Sequence, residues 1–171
     1  MVCMPVSAQT TGAFADIPGV RFDYYDASGD DAAAIRRSID AARPIDAHDG
    51  QRVDALTTWR MRWSWPTRTR GCDLGKARVT FAATVRMPRL AVVPDAVKPA
   101  WDRYVAALER HEAGHARHGY NGRVAVLAAI RGATCATADA AATAALAKLD
   151  AFGVTYDHET RHGMTQGAIF P

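Results

Sequence analysis

The sequence predicts an α+β fold: a small antiparallel β-sheet packed on one long helix, with a second helix near the C-terminus. Two observations carry this. Up to about residue 90 the apolar residues alternate as in strands, and from Asp95 onwards they recur at helical spacing. The 171 residues are 49% hydrophobic and 23% charged, enough apolar material for one core.

Each element can be justified in order. Residues 1–19 lack both a basic start and a full apolar stretch, yet "VSAQ" resembles the small-residue end of a secretory signal, so this segment is expected to be a signal remnant or disordered. Residues 20–171 form the domain. "VRFDYYDA" (20–27) alternates and reads as a strand, and the following helix starts at Ser28 or Asp30 and stops before Pro44. A polar loop covers 44–55. In "LTTWRMRWSWP" (56–66), Thr57, Trp59, Met61, Trp63 and Trp65 share one face, which is therefore buried, and Pro66 ends the strand. "KARVTFAATVRMP" (76–88) is a further strand with Val79, Phe81, Ala83, Val85 and Met87 on one side.

Trp101, Tyr104, Val105 and Leu108 open the long helix with an i, i+3, i+4, i+7 stripe. Continued by helical steps, that stripe reaches His111, Glu112 and His115, which must therefore face inward. Gly119 and Gly122 lie further along the same face and leave a bare strip against which the tail segment "ETRHGMTQG" can lie. The helix ends near Gly132, and "TADAAATAALAKLDAFG" (137–153) is the second helix, closed by Gly153.

Composition excludes several functions. No apolar run approaches the roughly 20 residues of a membrane-spanning helix. A net charge of +3, evenly spread, does not point to nucleic acid, and the Arg and Trp residues of "RMRWSWPTRTR" fit a half-buried strand better than a nucleic-acid grip. Cys72 and Cys135 are expected to form a bridge, the alternative being two reduced core cysteines. Such a bridge would contribute about 4 kcal/mol and implies an oxidising compartment, leaving Cys3 as the odd thiol.

The chemistry lies in "HEAGH" (111–115), an H-E-x-x-H motif. Histidines at i and i+4 stand one turn apart, so both imidazoles can converge on one Zn²⁺, and the intervening Glu112 can serve as general base toward water. A catalytic zinc needs a third protein ligand and an open position. His118 lies about 10.5 Å along a straight helix from His111, too far to share a tetrahedral ion, and reads as a supporting or surface residue. Asn121 stands where the metzincin pattern would need histidine. The third ligand comes from elsewhere, and the tail offers Asp157, His158, Glu159 and His162.

The stretches "YYDASG" (24–29), the W-x-W of Trp63 and Trp65, "WDRYVAALERHEAGH" (101–115), a cysteine before the last helix and "YDHETRHGMTQGA" (156–168) resemble a bacterial family of predicted secreted zinc-dependent proteases, catalogued as a domain of unknown function. The likeness covers roughly residues 20–168. It implies a secreted or periplasmic zinc peptidase acting on a peptide or protein substrate, with Zn²⁺ on His111, His115 and His162. His162 falls on the family's fixed "HG" position, and His158 on a variable one. Tyr156 is a candidate for oxyanion stabilisation, or else a core aromatic with its hydroxyl satisfied. The alternative function is a metal-binding or partner-binding envelope module that does not turn over.

Overall fold

The computed structural model describes residues 12–171. Its elements run β1 (Val20–Ala27), α1 (Ala32–Ala42), β2 (Leu56–Ser64), β3 (Thr67–Arg68), β4 (Gly71–Cys72), β5 (Arg78–Leu90), α2 (Lys98–Arg131) and α3 (Ala138–Thr160), with short 3₁₀ turns at Gly12–Phe14, Leu74–Lys76 and Met164–Gln166. This is the α+β class that the change of period implies.

The main sheet has the order β1-β5-β2 and is mixed, not wholly antiparallel as expected. β2 and β5 form an antiparallel ladder from Leu56↔Arg86 to Ser64↔Arg78, whereas β1 lies parallel to β5 from Val20↔Ala83 to Ala27↔Leu90. Alternation reports which face of a strand is buried and is blind to the direction of its neighbour. β5 continues two residues past Pro88, its expected end. Pro88 lies beyond the last β2 pair, where β5 has only β1 beside it, and a residue without an N–H is tolerated at such an edge.

Two hydrophobic clusters flank α2. The first joins Tyr25 and Ala27 of β1, Ile35 and Ile39 of α1, Val85 and Met87 of β5, and Trp101, Tyr104 and Leu108 of α2. The second joins Met61 of β2, Val126 and Ile130 of α2, and Ala138 and Ala142 of α3, with Trp59, Trp63 and Trp65 packed against it. The tryptophan face of β2 is thus the core side, as its alternation implies.

Several local expectations need correction. Asp31, not Ser28 or Asp30, caps α1, its carboxylate accepting from Ala34 N at 2.7 Å. Phe14 and Ile17, which precede β1, are buried in the first cluster. The reading of residues 1–11, Cys3 included, lies outside the described residues.

α3 runs straight through Gly153 to Thr160. A Cβ at Gly153 would stand 3.8 Å from His115 Nδ1, so the glycine marks the crossing of α3 over α2 and not a helix end. The disulfide between Cys72 and Cys135 ties the β3–β4 hairpin to the turn between α2 and α3, with 5.8 Å between the Cα atoms. It fixes the start of the helix whose far end reaches the histidines.

Candidate metal centre

The inward stripe of α2 carries the motif where the sequence places it. His111 is 1% exposed and Glu112 3%; the His115 side chain is less enclosed, at 12%. α3 returns antiparallel to α2 and sets Asp157 over both histidines. Asp157 Oδ1 is 3.0 Å from His111 Nε2 and 2.8 Å from His115 Nε2, and the two Nε2 atoms are 3.3 Å apart. Ligands around a tetrahedral ion with bonds of about 2.0–2.1 Å lie roughly 3.3 Å from one another, so these three atoms form one face of such a polyhedron. Among the described residues, His111, His115 and Asp157 form a group able to hold a metal ion.

The approach of α3 depends on Gly114, whose role no spacing along the chain reveals. A Cβ at Gly114, the fourth residue of HEAGH, would meet Tyr156 Oη at 2.6 Å. Tyr156 fills that space, stacks on His111 with 5.0 Å between ring centroids, and accepts a hydrogen bond from Gln166 Nε2 at 3.0 Å. It packs and orients, and its hydroxyl already has a partner. The bare strip at Gly119 and Gly122 is covered by other segments than the expected tail. Gly119 faces Trp59 and Phe81 of the sheet, and Gly122 faces Leu149 of α3.

Gln166 lies in the tail stretch that carries the family resemblance, which implies no role for it; the fold makes it a site residue. Its Oε1 lies 3.0 Å from His111 Nδ1. When His111 Nδ1–H donates to that oxygen, the Nε2 lone pair is left facing Asp157, the tautomer a metal ligand requires. Thr160, buried beside it, donates to Tyr156 O at 2.7 Å. Tyr156, Asp157 and Thr160 share a face only when 156–160 is helical. That face becomes visible in the sequence once the helix is carried past Gly153.

His162 stands one step from the motif histidines. Its Nδ1 is 3.4 Å from Asp157 Oδ1 and its Nε2 is 3.1 Å from Asp49 Oδ2. It belongs to a second group of metal-competent side chains, with Asp46 and Asp157. Arg161, His162 and Gly163 all have positive φ, at 51°, 51° and 83°. Two consecutive non-glycine residues in the left-handed region are unusual, and this hook turns the His162 ring back toward α3. His158 and Glu159 are exposed. They line the outer cleft. His118 stacks on Phe152 at 3.9 Å between centroids and joins neither metal-competent group.

The electrostatics follow from burial and pairing. Burial pushes the Glu112 carboxyl up, opposed by the adjacent His115 and His111. Burial also works against the charged form of Asp157, but hydrogen bonds with His115, His162 and, while its Nε2 carries a proton, His111 outweigh it and hold this carboxyl well below the usual range. His162 is pushed up to about 9, first by its hydrogen bond to Asp157, against burial and with help from Asp49.

An inner cavity of about 60 Å³ is lined by Asp46, Glu112, His115, Asp157 and His162 among others. Asp157 and His162 also border an outer cleft of about 1050 Å³ with Arg52, His158 and Met164 on its walls. Residues 22–163 match the family described as "Bacterial protein of unknown function (DUF922)". The chain belongs to that family. No curated protein and no solved structure matches the chain. The match to DUF922 runs from Phe22 within β1 through the whole HEAGH helix to Gly163, so both groups of metal-competent residues fall within it.

Proposed function

We propose that the chain is a zinc-dependent peptidase working in an oxidising compartment outside the bacterial cytoplasm. The observation that carries this reading is the convergence of His111 Nε2, His115 Nε2 and Asp157 Oδ1 at 2.8–3.3 Å, beside the buried Glu112 and at the end of an open cleft. Of the tail residues considered for the third ligand, Asp157 has the geometry to share one ion with both motif histidines. The chemistry supplied by zinc in such a site is polarisation of a carbonyl and acidification of water. The cleft receives an extended peptide or protein segment. Glu112 takes a proton from the attacking water as its oxygen adds to the carbonyl carbon, then delivers that proton to the departing nitrogen as the C–N bond breaks. The disulfide and the bacterial family support the location, since such bridges persist where thiols are not kept reduced. No helix among the described residues is long and apolar enough to cross a membrane.

The test combines metal analysis with a peptide-cleavage assay on the purified chain. The expected result is stoichiometric zinc and metal-dependent cleavage. Glu112→Gln should abolish cleavage and retain zinc, and Asp157→Ala should weaken zinc binding at least tenfold, with His158→Ala and His118→Ala near wild type. Purified protein that neither carries nor takes up zinc would overturn the reading. Zinc without cleavage of any peptide in a diverse library would favour a metal-binding module instead.

A further inference from the structure

Asp46 has no counterpart in the proposed zinc chemistry. It sits on the loop between α1 and β2 and is 3% exposed. Its carboxylate accepts one backbone hydrogen bond, from His48 N at 2.9 Å, and among the described residues it makes no ion pair. A carboxylate removed from water needs a positive charge beside it, and here that charge is the imidazolium of His162 or, once His162 gives up its proton, a bound cation. The groups facing it across the cavity are Asp157 and His162, and the ligand atoms of all three lie within 4.8 Å of one another.

His162 is oriented for such a role. Asp49 Oδ2 holds Nε2 at 3.1 Å, leaving Nδ1 directed at Asp157. A carboxylate on the far nitrogen of an imidazole fixes the ring and its tautomer, the usual support for a histidine that ligates a metal. The inner cavity reaches both groups, with Asp46, His162, His115 and Glu112 all on its lining.

We propose that the site holds two divalent cations, with Asp157 bridging them: one on His111 and His115, the other on Asp46 and His162. Two carboxylates and one imidazole suit Zn²⁺ or Mn²⁺, and one carboxylate can bridge ions about 3.5–4 Å apart. The second cation neutralises Asp46 and would add a positive charge at the end of the cleft where the scissile carbonyl lies. This inference rests on the zinc reading of the motif and extends it to a two-ion centre.

The test is metal stoichiometry on the full-length chain, stripped with chelator, reloaded with Zn²⁺ or Co²⁺ and freed of excess metal. Wild type should retain two ions, and Asp46→Asn and His162→Ala should each retain one. The Co²⁺ form should lose paramagnetic resonance intensity as the second equivalent binds, through coupling across Asp157. His162→Ala guards against a folding defect in Asp46→Asn, and circular dichroism checks both. One ion in wild type, lost on His111→Ala, would overturn the two-ion centre and leave the peptidase reading standing. No ion at all would overturn both. Two ions that survive both substitutions, or two magnetically independent ions, would also refute the bridged arrangement.

Discussion

Substituting Asp54 by alanine tests how the scaffold under the candidate metal centre is held. Its carboxylate accepts two hydrogen bonds from Arg36, at 2.7 and 2.8 Å, one from Arg43 at 3.2 Å and one from Tyr104 at 2.7 Å. Its backbone carbonyl accepts from Tyr25 at 2.7 Å. One residue between elements thus ties β1, α1 and α2 together. The cost can be worked from burial. Tyr104 is fully buried, so its orphaned hydroxyl costs about 1–3 kcal/mol. Arg36 and Arg43 are partly solvated, and Arg36 keeps Asp40, so each guanidinium loses about 1 kcal/mol. The sum is roughly 3–5 kcal/mol, or a fall in Tm of about 6–20 °C for a domain of this size.

Urea unfolding at constant slope should measure that loss, with Tyr104→Phe costing only about 1 kcal/mol because Asp54 keeps its arginines. Burial opposes the charged form of Asp54, but Arg36, Tyr104 and Arg43 hold its carboxyl below the usual range. A depressed carboxyl contributes stability that is full above its unfolded pKa, about 3.9, and is lost as pH falls through the folded value. Asp54→Asn should therefore flatten the acid limb of the stability profile and leave the rest of its shape unchanged. A loss under 1 kcal/mol for Asp54→Ala, or an acid limb unchanged in Asp54→Asn, would refute the reasoning.

Other outcomes follow from the same contacts. Gly114→Ala should gain about 1 kcal/mol of helix propensity but force Tyr156 aside, lowering zinc affinity at the proposed site, whereas Gly153→Ala, with its nearest contact at 3.8 Å, should raise Tm and leave that proposed site unchanged. A Gly114→Ala protein with wild-type zinc affinity would show that Tyr156 does not set the position of Asp157. Gln166→Ala should weaken zinc binding by roughly tenfold or more through loss of the His111 partner, while Gln166→Glu, which keeps an acceptor, should restore most of it in a chelator competition. Removing the bridge with Cys72→Ala should destabilise the fold by about 4 kcal/mol, given 63 residues between the cysteines, and unfolding curves with and without reductant should show the same loss in wild type and none in the variant.

Local period alone encodes the α+β class, the tryptophan face of β2, the long helix and the inward aim of HEAGH. Side-chain direction within one element follows from backbone geometry alone, and burial of Trp101, Tyr104 and Leu108 then settles which face of α2 looks inward. The Cys72–Cys135 pairing was legible for a different reason, as the two cysteines left once Cys3 is set apart. Everything that needs two elements at once depends instead on how the elements pack. β1 is parallel to β5 because α1 and β2 intervene before the chain returns, and alternation carries no trace of strand direction. Gly153 reads as a helix stop in isolation and is a helix crossing in the fold, because contact with α2 outweighs a propensity cost of about 1 kcal/mol. The same crossing places Asp157 between His111 and His115 and leaves His162 beside Asp46. Ligand distance is set by how two helices and a loop pack, and no spacing along the chain encodes it.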